Sequence, residues 1–305
     1  MKTITVFTPT YNRAYILPQL YESLKRQTSQ DFCWLIVDDG STDNTKEIVD
    51  GWIQEAIVDI HYYYQENGGK IRAHNFGVTK TESELFLCCD SDDYFLDDAI
   101  EIIMVRWHDY VKSKEKLSGL IGPRSVKKNG KKIENIIPDT TAPLTYQEFT
   151  SVLGKIKEAF LVFRTDVIRV YPFPVQDGEK YFPEGFVYRQ IDKCFKMLPI
   201  AQELICGSYL DDGISQNAIK TFVQNSKGYA LVRNDDIRHL SISSRYLKSV
   251  IDYIAASLFS HRNMMEIIKF SNSKLMTLLL MPLGYVRLLL LKRKYDKIML
   301  LSSNK

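Results

Sequence analysis

Four short apolar runs punctuate the first third of the chain: Ile4–Phe7, Cys33–Val37, Ile60–Tyr64 and Leu85–Cys89. Each has strand length and is rich in β-branched, aromatic or aliphatic residues. Helical periodicity fills the gaps between them. Ile16, Leu17, Leu20 and Leu24 share one face, with Asn12 as the candidate cap. Thr45–Gln54 follows the cap candidates Ser41 and Thr42, and Ala99–Tyr110 follows Asp97 and Asp98, whose charge suits the start of a helix. Strand–helix repetition of this kind predicts right-handed crossovers and a parallel sheet covered on both faces. Leu117–Phe163 is more mixed, and Lys127–Lys132 reads as a hairpin turning at Asn129-Gly130. Beyond Gly213 the pattern is mainly helical, with no internal repeat and no low-complexity linker.

Composition narrows the class. The 305 residues are 45% hydrophobic and 25% charged, which excludes a disordered chain, a collagen-like repeat and a polytopic membrane protein. The formal net charge of +3 hides an uneven distribution. Of 40 Lys/Arg and 37 Asp/Glu, residues 241–305 hold 11 and 3, a balance of +8. The first 240 residues keep 29 and 34, a balance of −5. Five cysteines without metal-ligand spacing suggest reduced thiols in a cytosolic chain. Met1–Thr8 turns polar too soon for an export signal. The five histidines form no zinc pattern.

In an open α/β sheet, ligands bind beyond the carboxyl ends of the strands. Here the four runs lead into Thr8-Pro9-Thr10-Tyr11-Asn12-Arg13, Asp38-Asp39-Gly40-Ser41-Thr42-Asp43, Glu66-Asn67-Gly68-Gly69-Lys70 and Asp90-Ser91-Asp92-Asp93. Four polar, turn-forming or acidic strand ends converge on one cleft. Neither a dinucleotide fingerprint nor a P-loop is present. Gly68-Gly69-Lys70 offers a turn and a cation before a helix, where a phosphate could sit on backbone N–H groups. Asp90 and Asp92 stand two residues apart and can approach one hard cation. Mg²⁺ and Mn²⁺ take oxygen ligands, usually shared between a carboxylate or two and substrate phosphates. Three carboxylates within four residues, directly after the most apolar strand, call for a neutralising cation.

The combination of Thr8-Pro9-Thr10-Tyr11-Asn12-Arg13, Val37 through Asp43, Asn67-Gly68-Gly69-Lys70 through Asn75-x-Gly77, and Asp90-Ser91-Asp92-Asp93 closely resembles glycosyltransferase family 2. The matches keep the family's order and spacing, are strong over the first 100 residues, and extend more weakly to about Gly213. The resemblance implies a GT-A fold, Rossmann-like with a mostly parallel central sheet. It also implies a nucleotide-diphosphate sugar donor, a divalent metal (Mn²⁺ or Mg²⁺) and inversion at the anomeric carbon. Carried over, Thr8, Pro9 and Tyr11 border the base and ribose, and Asp39 accepts a hydrogen bond from the base, most often uracil. Asp92 binds the metal, while Asp90 and the intervening Ser91 support the ribose or the metal. Lys70 and Arg72 fall where the chain can face the nucleotide.

Inverting transfer needs a carboxylate to take the acceptor's proton. The family's base stands at a helix start well beyond the D-x-D, and Glu184 in Phe182-Pro183-Glu184-Gly185 lies at that distance. Pro before it and Gly after it depart from the family's usual acidic stretch, so Glu179 in Gly178-Glu179-Lys180 is the alternative base. Asp211 and Asp212 are candidate acceptor contacts. No Gln-x-x-Arg-Trp motif is found, which favours single-sugar addition over processive synthesis.

These readings divide the chain into a catalytic domain, 1–215, and a helical, basic region, 216–305. Within the catalytic domain, 1–125 is the nucleotide-sugar and metal half and 126–215 the acceptor half. Leu275–Leu291 is strongly apolar but contains Pro282, Gly284 and Arg287. A spanning helix wants about 20 apolar residues, and a central Arg costs about 2.5–3.5 kcal/mol. An apolar face followed by Lys292-Arg293-Lys294 and Lys297 suits a helix lying on an anionic cytoplasmic leaflet. The chain is therefore expected in the cytoplasm, at the inner face of the cell membrane. Nucleic acid is not expected, because the sheet domain is acidic and the basic tail lacks interleaved aromatics. The expected acceptor is a glycan or lipid-linked glycan of the cell surface. Two other readings remain at this level: a catalytically silent subunit of a membrane assembly, and a sugar-phosphate nucleotidyltransferase.

Overall fold

The computed structural model describes residues 2–110, 116–128, 131–133, 142–152, 158–208 and 217–303. Two compact units emerge: Met1–Phe173 with Glu184–Leu210, and Pro174–Pro183 with Asp211–Lys305.

The first unit opens with alternating strands and helices: β1 (Ile4–Thr10), α1 (Leu17–Lys25), β2 (Phe32–Asp38), α2 (Thr45–Glu55), β3 (Ile60–Tyr64), α3 (Lys70–Lys80) and β4 (Leu85–Cys88). Then come β5 (Asp93–Phe95), α4 (Ala99–Tyr110), β6 (Leu117–Lys128), β7 (Lys131–Ile133), α5 (Tyr146–Val152), β8 (Ala159–Arg164), α6 (Thr165–Val170), α7 (Gly185–Ile191), β9 (Lys196–Pro199) and β10 (Ile205–Ser208). All four strands expected from the apolar runs form. The sheet order is β3-β2-β1-β4-β8-β6-β10-β5, with β7 and β9 also paired to β6.

β1, β2, β3 and β4 are mutually parallel, and β1 is buried along its whole length, as a central strand covered on both faces must be. Beyond β4 the sheet becomes mixed, because β8 runs antiparallel between β4 and β6. β6 and β7 form the expected hairpin, pairing Lys128 with Lys131; its Asn129-Gly130 turn lies outside the described residues. Tyr21, Trp34 and Trp52 stack at centroid distances of 4.3 to 6.2 Å on the core side of β2.

Two cap assignments are corrected by the loops that follow β1 and β2. Asn12 takes a left-handed conformation at φ 51°, one that Asn tolerates. Its Oδ1 accepts from Thr42 N at 2.8 Å instead of capping α1. α1 starts at Ile16 without a side-chain cap, helped by Pro18 in its first turn. Ser41 Oγ accepts from Asn12 N at 2.8 Å, so the Ser41-Thr42 pair ties the two loops together. Asp43 serves α2 in their place, accepting from Thr45 N at 3.1 Å.

The second unit is helical among the described residues: α8 (Ala218–Gln224), α9 (Ser226–His239), α10 (Ser244–Phe259), α11 (Met264–Phe270) and α12 (Lys274–Ser303). Its own core includes Phe222, Ala230, Val250, Tyr253, Ile254 and Leu291. α11 begins with a capping box in which Asn263 and Glu266 satisfy each other's backbone N–H groups.

Candidate active site

The strand order 3-2-1-4 places β2 on one side of β1 and β4 on the other. Chains leaving the carboxyl ends of β1 and β4 therefore diverge and leave a crevice between them. Thr10 and Tyr11 emerge from β1 there. Asp90-Ser91-Asp92 emerges from β4 in a tight turn closed by Asp93 N donating to Asp90 O at 3.0 Å.

A cation sits among the carboxylates of this crevice. Lys70 Nζ lies 2.7 Å from Asp90 Oδ1 and 2.9 Å from Glu184 Oε1. Burial works against the Lys70 charge, but Asp90 and then Glu184 more than offset it and hold its pKa well above the usual value. Burial alone would raise Asp90; Lys70 and then Arg124 hold it below the usual carboxylate range. Glu184 stands at the entry to α7, and its Oε2 accepts from Tyr188 OH at 3.3 Å. The D-x-D turn, the Gly-Gly-Lys turn and the candidate base thus meet at one ammonium group.

Asp92 is different. It is half-buried, and among the described residues no hydrogen bond or ion pair from another residue engages its carboxylate. Burial, and then Asp90, raise its pKa. Asp93 instead turns inward and pairs with Arg124, under a Gly207 whose added Cβ would collide with both.

Asp39 is occupied on every acceptor position. Its Oδ1 accepts from Gln65 Nε2 at 2.6 Å and Gly68 N at 2.8 Å. Its Oδ2 accepts from Gly69 N at 2.7 Å and Asn67 Nδ2 at 3.2 Å. The expected phosphate cradle is thereby corrected, since the backbone N–H groups of Gly68 and Gly69 already serve Asp39. Gly69 adopts φ 93° at the start of α3, and Gly40 approaches so closely that a Cβ would meet Asn67 N at 2.8 Å. These glycines let the two loops lock together.

The other expected site residues divide. Pro9 is buried in β1 and Tyr11 is exposed beyond it. Thr8 is fully buried, and its Oγ1 accepts from Trp34 Nε1 at 2.9 Å, so its hydroxyl serves the core. Arg72 folds back and donates to Gly68 O at 2.7 Å. Ser91 is buried at the turn. Glu179 accepts from Lys227 N at 2.6 Å and Gly228 N at 2.9 Å. It thus satisfies first-turn donors of α9 within the second unit. Asp211 and Asp212 lie outside the described residues.

The family model described as Glycosyl transferase family 2 matches residues 5–114. Over that region the chain is similar to glycosyl transferase family 2. Glycosyltransferase GlyG of Streptococcus pneumoniae is 36% identical over 101 residues, which is 33% of either chain. Teichoic acid poly(glycerol phosphate) polymerase of Staphylococcus epidermidis is 32% identical over 124 residues, covering 40% of this chain and 16% of that protein. The chain thus spans a third or less of the length of these curated relatives. The solved structure of S. aureus TarS residues 1–349 with UDP-GlcNAc superposes with a TM-score of 0.60 at 16% identity, covering 97% of this chain and 91% of that one. That likeness shows the fold, a GT-A arrangement with a helical C-terminal region.

Around this crevice, several residues escape sequence reasoning. Tyr188 is one turn from Glu184 on α7, a spacing that brings side chains together. It packs 5.4 Å from Phe163 and 5.1 Å from Tyr146. Asn75, from the Asn-x-Gly element, holds Phe173 by two bonds of 2.9 Å to its backbone N and O. Phe173 in turn packs on His74 and Tyr188. His74 is buried, and its Nδ1 has no hydrogen-bond partner. Arg124 reaches Asp93 from β6, far along the chain, with no local signal to announce it.

Proposed function

We propose that this chain is an inverting glycosyltransferase that moves one sugar, of hexosyl type, from a UDP-sugar to a hydroxyl of a glycan or lipid-linked glycan in cell-surface polysaccharide synthesis. The observation that carries the reading is the contact of Lys70 with both Asp90 and Glu184 beside an unpartnered Asp92. A nucleotidyltransferase would need a phosphate-binding loop after β1, where this chain has Thr8-Pro9-Thr10-Tyr11-Asn12. A silent subunit would have no use for a half-buried carboxylate at the crevice.

The donor's base and ribose would lie against Pro9, Tyr11 and the backbone of Thr8. Asp39 would meet the base at the acceptor position now held by the Gln65 side chain. Asp92 suits a divalent cation, Mn²⁺ or Mg²⁺, because its oxygens are accessible and unclaimed, with Asp90 and Ser91 alongside. Such an ion, when bound, neutralises charge on the departing diphosphate.

Glu184 is the base in this reading. The Lys70 ammonium pairs with its carboxylate at 2.9 Å. An incoming diphosphate competes for Lys70, and as Lys70 turns toward it the Glu184 carboxylate is released to meet the acceptor hydroxyl. The acceptor hydroxyl proton then passes to Glu184 while its oxygen bonds to the anomeric carbon and the bond to the diphosphate breaks. Tyr188 steers the second carboxylate oxygen. Glu179 is unsuited, since both of its oxygens already hold backbone N–H groups.

The test is Mn²⁺-dependent release of UDP from a panel of UDP-sugars, with and without a glycan acceptor. Acceptor-stimulated release supports transfer. Pyrophosphate formation from a sugar phosphate and UTP would replace it with nucleotidyl transfer, and no turnover under any condition would refute both.

A further inference from the structure

α12 is apolar on two opposite faces, and only one of them is used. The inner face packs on α10: Met281 and Leu291 join its core, and Gly284 abuts Ile254 so closely that no Cβ fits. There Arg287 Nε donates to Asp252 Oδ1 at 2.9 Å, and Asp252 is only 4% exposed. The outer face carries Leu275, Leu279, Leu283, Val286 and Leu290, which are 67, 61, 51, 51 and 52% exposed. Their spacing draws one stripe along the helix, running about 22 Å at 1.5 Å per residue. The stripe then passes into Arg293 and Lys297, flanked by Lys292 and Lys294, all exposed. Asp296 is the only acid on the helix.

We infer that this outer face docks on an anionic lipid bilayer and lies in its plane. The apolar stripe enters the acyl boundary while the basic turn meets anionic headgroups, the pattern of an interfacial helix. A second copy of this helix would bring no acidic counterpart to those cations. Length and composition also allow the helix to cross a bilayer, but crossing requires the inner face to leave α10. That step would take the 2.9 Å Arg287 partner from the buried Asp252, leaving Arg233 at 4.0 Å, and carry Arg287 into hydrocarbon. The fold therefore selects the in-plane arrangement. This inference does not depend on glycosyl transfer.

The test uses the full chain and phosphatidylcholine vesicles with and without phosphatidylglycerol. The chain should sediment with the phosphatidylglycerol vesicles, weakly with the neutral ones, and less as salt rises. Leu279→Ser with Val286→Ser should lower vesicle binding on the order of tenfold, and Arg293→Gln with Lys297→Gln should remove the preference for anionic lipid. Both pairs are exposed, so tryptophan fluorescence and helicity should stay unchanged. Equal binding by wild type and the Leu279/Val286 variant would overturn the proposal. So would a wild-type dimer that ignores vesicles and is dissociated by the same substitutions. Release by salt or alkaline carbonate marks the in-plane helix, and resistance to both would overturn that arrangement.

Discussion

His74 should make the first unit acid-sensitive, through a side chain that does no chemistry. Its ring is buried edge-on among Phe7, Phe86 and Phe173 at centroid distances of 5.6, 5.2 and 4.7 Å. Burial, and then the charge of Lys70, lower its pKa from 6.5 to about 3. Below about pH 6.5 the unfolded chain binds a proton on this residue that the folded chain refuses until about pH 3. The stability that a neutral His74 allows is thus complete above that range and is lost as pH falls. At about pH 5 the loss is 2.303RT times roughly 1.5, or about 2 kcal/mol. For a unit of this size that corresponds to roughly 4–8 °C in Tm.

His74→Phe removes the titrating group and the unpartnered Nδ1. Whatever offset the larger ring introduces, the difference between about pH 7.5 and pH 5 should shrink by about 2 kcal/mol relative to wild type. Trp34, Trp52 and Trp107, the three tryptophans, all belong to the first unit. Their fluorescence in urea titrations therefore reports this unit's unfolding. Equal loss of stability by both proteins between the two pH values would refute the reasoning.

Three further outcomes follow from the crevice and one from the second unit. Glu184→Gln should bind donor normally and lose about 10²–10⁴-fold in transfer rate; near-normal turnover eliminates it as the base. Asp92→Asn should weaken Mn²⁺-dependent nucleotide binding by about tenfold or more, read by calorimetry, and unchanged affinity would remove its metal role. Lys70→Met removes the cation that Asp90 and Glu184 share, leaving Asp90 with the more distant Arg124 charge. It should destabilise the first unit by about 1–3 kcal/mol, a range reduced for partial exposure, in the same urea assay. Glu179→Gln should keep its turnover while costing the second unit about 1–2 kcal/mol in helix melting followed by circular dichroism. Loss of transfer in a folded Glu179→Gln protein would contradict its assignment to α9.

The placement of the crevice's side chains was largely legible in the sequence because they sit in short, local patterns. Strand-length apolar runs followed by polar turns depend only on neighbouring residues, and they placed β1 to β4 and the D-x-D turn correctly. That Glu184 would stand at a helix start was legible from the helical pattern after it; its role as base came from the family resemblance. What Asp39 does was not, because its four donors come from the β3–α3 connection and satisfy it only when the loops meet. The cap assignments failed for the same reason: Asn12, Ser41 and Thr42 have partners across two loops instead of within their own helices.

The sequence by itself determined which segments become strands and helices, where the carboxylates fall, and that the tail is basic. Periodicity and charge are properties of contiguous residues and survive without a fold. Tertiary structure alone decided that β8 would enter antiparallel, that Lys70 would join Asp90 to Glu184, and which face of α12 would be spent on α10. Those outcomes depend on which distant groups compete for the same space, buried charge and hydrogen bonds, and that competition exists only once the chain is packed.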